Sequence, residues 1–158
     1  MIRTALSMVV NGIPVEDLVD PRMSLVEYLR EGRGLTGTHV SCETGVCGAC
    51  TVLLDGLAVR SCVVLAVQAE GSEVETVEQV DNSQPMREIT SAMTTCNAFQ
   101  CGFCAPGIVM ATRAVVRDLQ IPDSFEDILD SHLCRCSGYV NLRTVFEDVS
   151  AEPEGERG

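Results

Sequence analysis

The run Cys42-Glu-Thr-Gly-Val-Cys47-Gly-Ala-Cys50, answered by Cys62, constrains this chain more than any other feature. As spacing it reads C-x4-C-x2-C-x11-C, the plant-type ligand pattern for a [2Fe–2S] cluster. Each iron of such a cluster is tetrahedral and keeps two bridging sulfides, so four thiolates complete the pair. Three of them on one tight loop require backbone that turns through positive φ, and Gly45 and Gly48 stand in that loop. Its amide N–H groups can then point at sulfur and offset the cluster's negative charge. A structural zinc site is the competing reading. Such sites pair two C-x2-C knuckles, and a C-x4-C-x2-C triplet with its fourth cysteine well downstream fits them poorly.

Nine cysteines in 158 residues would suggest disulfides in a small secreted protein. Here the number is odd and the spacing is metal-like. The apolar residues near Met1 are broken by Asn11-Gly12 and then Glu16-Asp17, too soon for a secretory signal. The expected compartment is a reducing cytoplasm, with periplasmic export open only to a folded protein carried on a partner's signal. No stretch approaches a transmembrane span, so membrane insertion is not expected. A net charge of −12 argues against nucleic acid and anionic membranes as partners.

The pattern predicts strands at residues 4–10 and 13–19 joined by Asn11-Gly12, the strongest short hairpin signal. Ser24-Leu-Val-Glu27 is a capping box that opens a short helix through Leu25, Tyr28 and Leu29, ended by Gly32 and Gly34. After the cysteine loop come a strand at 51–54, a turn at Asp55-Gly56, a strand at 57–61, a short helix at 63–67 and a last strand at 73–77. This order is similar to the β-grasp fold of plant-type ferredoxins. From about Asp81 the pattern turns helical. A first helix is expected over 84–95, with Pro85 in its first turn. A second starts at Pro106 and carries Ile108, Val109, Val115, Val116 and Leu119 on one face. Ser124 caps a short third with Ile128 and Leu129, and Leu142, Val145, Phe146 and Val149 mark a fourth. The expected class is α+β, with an N-terminal domain over 1–80, a helical domain over 81–150 and a frayed tail over 151–158.

A helical domain that small needs a staple. Cys101-Gly-Phe-Cys104 and Cys134-Arg-Cys136 each precede a predicted helix, where unpaired N–H groups favour an anionic cluster. Chemistry alone leaves two readings of this second set, a [2Fe–2S] cluster or a zinc site. A thioredoxin-type C-x2-C lacks its βαβ context. Cys96 is left over and reads as a small apolar residue.

Taken together, Cys42-x4-Cys47-Gly-Ala-Cys50-Thr-Val, Gln100-Cys-Gly-Phe-Cys104-x-Pro106-Gly107 and Leu133-Cys-Arg-Cys136-x-Gly138-Tyr139 resemble the small iron–sulfur subunit of the xanthine oxidase family of molybdenum hydroxylases. The resemblance spans roughly residues 3–149. It implies a β-grasp, plant-type ferredoxin-like domain followed by a four-helix-bundle domain, each holding one [2Fe–2S] cluster. The ligands it implies are Cys42, Cys47, Cys50 and Cys62 in the first, and Cys101, Cys104, Cys134 and Cys136 in the second. It gives Gln100 a contact to the pterin of the molybdenum cofactor, a task its donor and acceptor suit. It also implies a large molybdopterin-binding subunit, a medium FAD-binding subunit and a dimer of heterotrimers. Ala105, His132 and Ser137 depart from the Thr, Asn and Thr usual in the family. His39 and His132 are expected to pack or bond backbone rather than ligate iron.

No nucleophile–base signature or phosphate loop is apparent, so no catalytic residue is expected on this chain. The expected role is electron relay from a molybdopterin centre through both clusters to FAD, in a complex that hydroxylates an N-heteroaromatic or related small molecule. The rival reading is a free-standing two-cluster ferredoxin, whose acidity would steer encounters with partners. A redox-sensing regulator lacks any DNA-binding element.

Overall fold

The computed structural model describes residues 3–80, 86–116 and 125–151. Strand β1 (Thr4–Val10) alternates its side chains so that Leu6, Met8 and Val10 are buried. It turns through Asn11 (φ 52°) and Gly12 (φ 74°) into β2 (Ile13–Val19), both residues at the positive φ of a tight hairpin turn. A second hairpin joins β3 (Thr51–Leu54) to β4 (Leu57–Arg60) through Asp55 and Gly56, again at positive φ. Strand β5 (Glu73–Glu75) enters between the hairpins, parallel to β1 and antiparallel to β3, giving the order β2-β1-β5-β3-β4. Helix α1 (Leu25–Glu27) runs into a wider helical turn, Tyr28–Gly32. Ser24 Oγ accepts the Glu27 N–H at 3.2 Å, a cap that contributes about 1 kcal/mol. Leu25 and Leu29, both fully buried, pack with Leu6, Val52 and Val74 into one aliphatic core.

Two expectations need correction here. Residues 63–67 are not a helix. Two 3-10 turns, Ser61–Val63 and Ala66–Ala69, flank extended Val64 and Leu65. Val64 O accepts the Leu25 N–H at 2.7 Å and Ala66 N donates to Met23 O at 2.8 Å, so these backbone groups bond sideways to the chain entering α1. The strand expected over 73–77 stops at Glu75. Asn11 captures Thr76 through Oδ1 to its N–H and Nδ2 to its Oγ1, both 2.8 Å, and the 3-10 turn Val77–Gln79 follows.

In the C-terminal half, α2 (Met86–Thr95), α3 (Ala105–Val115), α4 (Glu126–Asp130) and α5 (Val140–Ala151) enclose a second core around Ile89, Ile108, Leu129, Leu142 and Phe146. The expected helix start at 84–85, Leu119, the Ser124 cap and residues 152–158 of the expected tail lie outside the described residues. On α3, Ile108 and Val116 are buried as expected, but Val115 is 44% exposed. The helix ends at Val115, and the chain leaves helical backbone at Val116 (φ −93°, ψ 35°), so the two cannot share a helical face. The opposite side of α3 packs on β3 and β4, and an Arg113–Glu75 ion pair at 4.0 Å closes over it. The two halves therefore meet through α3 and the hairpin that carries the first cysteine loop.

Candidate metal centres

The β3–β4 hairpin explains how a cysteine twelve residues beyond Cys50 returns to it. Its register sets Thr51 opposite Arg60, so Cys50, just before β3, lies beside Ser61 and Cys62, just after β4. Ser61 N and Oγ both donate to Cys50 O, at 3.2 and 2.6 Å. The Cys50 and Cys62 thiols then share a hydrogen bond. Burial first, and Cys50 second, push the Cys62 thiol up to about 11. Across the loop, Cys42 Sγ accepts the N–H groups of Thr44 and Cys47 at 3.4 Å each. The Thr44 side chain and these N–H groups hold the Cys42 pKa down at about 5. Gly45 N–H reaches Cys62. The loop turns through Gly45 (φ 80°) and Gly48 (φ 81°) to do so, as its spacing requires.

The second set is gathered from two loops. Cys104 is the N-cap of α3, with Cys101 on the turn before it. Cys134 and Cys136 lie on the turns that lead into α5. Cys101 meets Cys136 and Cys104 meets Cys134 as hydrogen-bonded thiol pairs. Burial, then Cys134, pushes Cys104 up to about 12, and the neighbouring Cys101 raises Cys136. The Phe103 N–H and Cys136 lower Cys101. At Cys134 burial raises the pKa, but the Ser137 hydroxyl and N–H, 3.1 and 3.5 Å from Sγ, outweigh it and the pKa is lowered. Ser137 thus keeps a hydroxyl on sulfur, while Ala105, first residue of α3, offers none. Among the described residues no three His, Cys, Asp or Glu side chains converge on one point as a single metal ion requires. Thiols meeting two by two, with amides aimed at sulfur, suit a binuclear cluster in which each iron takes two thiolates.

The two sets face each other across the contact between the halves. A cleft of about 590 Å³ is lined by Cys42 and Cys47 from one set and by Cys101, Cys104 and Cys134 from the other, with Phe103 and Leu133. Leu133 N donates to Cys47 O at 2.9 Å. Gly107 is clamped so closely that a Cβ there would lie 2.2 Å from Gly48 O. Arg60 donates to Ser131 O at 2.5 Å and to Thr51 Oγ1. His132, 1% exposed, bonds Ile128 O through Nδ1 at 2.8 Å, which is the backbone contact expected of it. Burial lowers its pKa and Arg60 adds to this, and because a carbonyl can only accept, Nδ1 carries a proton toward Ile128 O. Sequence reasoning missed that this ring and Arg60 tie the halves together. The only local hint was Gly48, next to Cys47, and Gly107, three residues after Cys104. Gln100 is exposed at the edge of the second loop, and its side chain has no hydrogen-bond partner among the described residues. Cys96 is half-buried against the helical core.

Comparison with known proteins matches both halves. A family described as "2Fe-2S iron-sulfur cluster binding domain" matches residues 8–83, and "[2Fe-2S] binding domain" matches residues 76–147. The chain is 42% identical over 154 residues to the caffeine dehydrogenase subunit gamma of Pseudomonas sp. (strain CBB1), covering 94% of this chain and 92% of that one. It is 40% identical over 143 residues to the xanthine dehydrogenase iron–sulfur-binding subunit of Escherichia coli O157:H7, covering 87% and 89%. Among solved structures, quinoline 2-oxidoreductase from Pseudomonas putida 86 aligns with a TM-score of 0.84 at 39% identity, over 94% of this chain and 93% of that one.

Proposed function

The chain belongs to the iron–sulfur subunits of the xanthine oxidase family of molybdenum hydroxylases, and we propose that it binds one cluster on Cys42, Cys47, Cys50 and Cys62 and another on Cys101, Cys104, Cys134 and Cys136. Each [2Fe–2S] cluster supplies a one-electron carrier when bound. The chain is thereby a relay subunit of an oxidoreductase and converts no substrate itself. Its relatives' place in dehydrogenase complexes favours this over a free-standing two-cluster ferredoxin. The finer architecture is a β-grasp, ferredoxin-like domain to about residue 80 and a four-helix domain over 81–150, a division that the two separate cores support.

Within the complex, electrons pass from a molybdopterin centre in a large subunit to the helical domain, then to the N-terminal domain, and out to FAD in a medium subunit. The assembly is a dimer of such heterotrimers, and it is cytoplasmic. No helix among the described residues is long and apolar enough to cross a membrane. The exposed Gln100 amide, without a hydrogen-bond partner among the described residues, can donate to and accept from the pterin at the entry side. The substrate is an N-heteroaromatic, by analogy with the caffeine and quinoline enzymes.

One observation carries this reading: the eight cysteines form two thiol sets facing each other across one contact, with the Cys47 carbonyl of one loop bonded to the Leu133 N–H of the other. The test is iron, acid-labile sulfide, zinc and molybdenum content after native purification through a tag on this chain. Two irons and two sulfides for each of two clusters, with molybdenum in a larger co-purifying partner, is the expected result. Zinc without sulfide would overturn the reading, and full clusters on a solitary chain would point to the free carrier. Gln100→Ala should leave both clusters in place but weaken docking to the molybdenum subunit or slow the first transfer. Unchanged assembly and rate would remove the pterin contact.

A further inference from the structure

A relay works only if its two carriers are held at a fixed separation and orientation, because electron transfer falls off steeply with distance. The chain has two histidines, and they cross the contact between the halves in opposite directions. His39, three residues before Cys42, donates Nδ1–H to Phe103 O at 2.8 Å and stacks on the Phe103 ring, with centroids 4.9 Å apart and planes at 26°. Phe103 lies between Cys101 and Cys104, so the first loop's flank grips the second loop at its centre. His132, two residues before Cys134, reaches the other way. Its Nε2 lies 3.2 Å from Thr51 Oγ1, next to Cys50, and its ring covers Gly48, next to Cys47. A Cβ on Gly48 would lie 2.4 Å from His132 Cδ2, so the ring fills the space a side chain would take.

We propose that His39 and His132 are positioning residues of the relay, a reciprocal pair in which each pins one cluster loop to the opposite domain and together they fix the geometry between the clusters. The proposal rests on the assignment of the eight cysteines as ligands. Its reach follows from what the pair brackets. Directly after His132, the Leu133 N–H bonds the Cys47 carbonyl at 2.9 Å, so a short covalent and hydrogen-bonded route joins Cys47 to Cys134. His132 sets where that N–H points. It is anchored behind by Ile128 O, and Arg60 holds the adjoining Ser131 carbonyl. A flat ring with one directed N–H suits both places. Each ring covers a surface (Gly48 or the Phe103 ring) while its N–H fixes the ring's orientation on a carbonyl.

The test uses the assembled complex with both clusters. The variants are His39→Ala, His132→Ala, the double variant, and His132→Gln, whose amide can still reach Thr51. The readouts are iron and sulfide content, the signal of each reduced cluster, and the magnetic splitting between the two reduced clusters in low-temperature electron paramagnetic resonance. The alanine variants should keep their iron and their individual cluster signals while the splitting is lost or smeared, with the double variant most affected and His132→Gln restoring part of it. Wild-type splitting in an iron-replete double variant would overturn the proposal. Should His132→Ala shed iron, the half-exposed His39→Ala variant decides by the same splitting. Absence of iron and sulfide from the wild-type chain would instead overturn the ligand assignment and leave the histidine contacts as packing alone.

Discussion

Ser137 is placed to tune the proposed helical-domain centre without ligating it. Its hydroxyl and N–H both lie against Cys134 Sγ, and the hydroxyl in turn accepts the Tyr139 N–H at 3.1 Å. Hydrogen bonds to a ligand sulfur favour the more negative, reduced state. Ser137→Ala should therefore lower the potential of the helical-domain cluster by about 20–60 mV, the one-electron equivalent of roughly 0.5–1.4 kcal/mol, with iron content unchanged. A redox titration followed by electron paramagnetic resonance checks it, and an unmoved potential would deny the contact a role. At this scale the meeting of the cysteine thiols is legible in sequence because the spacing within each loop is local. The pterin contact proposed for Gln100 comes only from resemblance, since an exposed loop amide carries no pattern of its own. The Arg60 and His132 contacts were not legible. His132 and Thr51 are 81 residues apart, and nothing in either neighbourhood announces the other.

Elements set the cysteines where they are, and two substitutions probe that. Gly107 in the first turn of α3 presses on the Gly48–Ala49 backbone, which cannot retreat as a side chain could. Gly107→Ala should cost about 1–3 kcal/mol by overpacking. Thermal melting should drop by roughly 2–4 °C per kcal/mol, and iron should leave the second set more readily. An unchanged melt would show that the helix can shift at no cost. In the β3–β4 turn, the Asp55 carboxylate accepts the Glu73 N–H and the Ser72 hydroxyl, each at 2.8 Å, and ties the hairpin to β5. The Glu73 N–H, then Ser72, lower its pKa below the unfolded value of about 3.9. That stabilisation is fully present above about pH 4 and is lost as pH falls through the folded pKa. Asp55→Ala should be less stable to urea at pH 7 and less sensitive to acid below pH ~4, whereas an acid limb matching wild type would exclude the tie. Both hairpins are legible because Asn11-Gly12 and Asp55-Gly56 prefer positive φ. Residues 63–67 are not, because a short apolar run reads equally as helix or buried extended chain, and its partners at Met23 and Leu25 are chosen only in three dimensions.

At the scale of the whole molecule, two cores of different architecture are joined by α3 on the β3–β4 hairpin, and the thiol sets sit on either side of that joint. The joint is what a relay subunit requires: two carriers held side by side in one chain. The central claim is that electrons cross this joint in one direction, from the helical domain to the N-terminal domain. Cys47→Ser tests it in the assembled complex, because a serine oxygen is a poor substitute for a thiolate and the Cys47 carbonyl itself accepts the Leu133 N–H across the joint. The measurement is anaerobic rapid mixing with substrate, following the helical-domain cluster by freeze-quench electron paramagnetic resonance and the flavin by absorbance. The account predicts a helical-domain cluster reduced at the wild-type rate and a flavin that stays oxidised. Flavin reduced at the wild-type rate, in a complex that lacks the N-terminal cluster's signal, would contradict it.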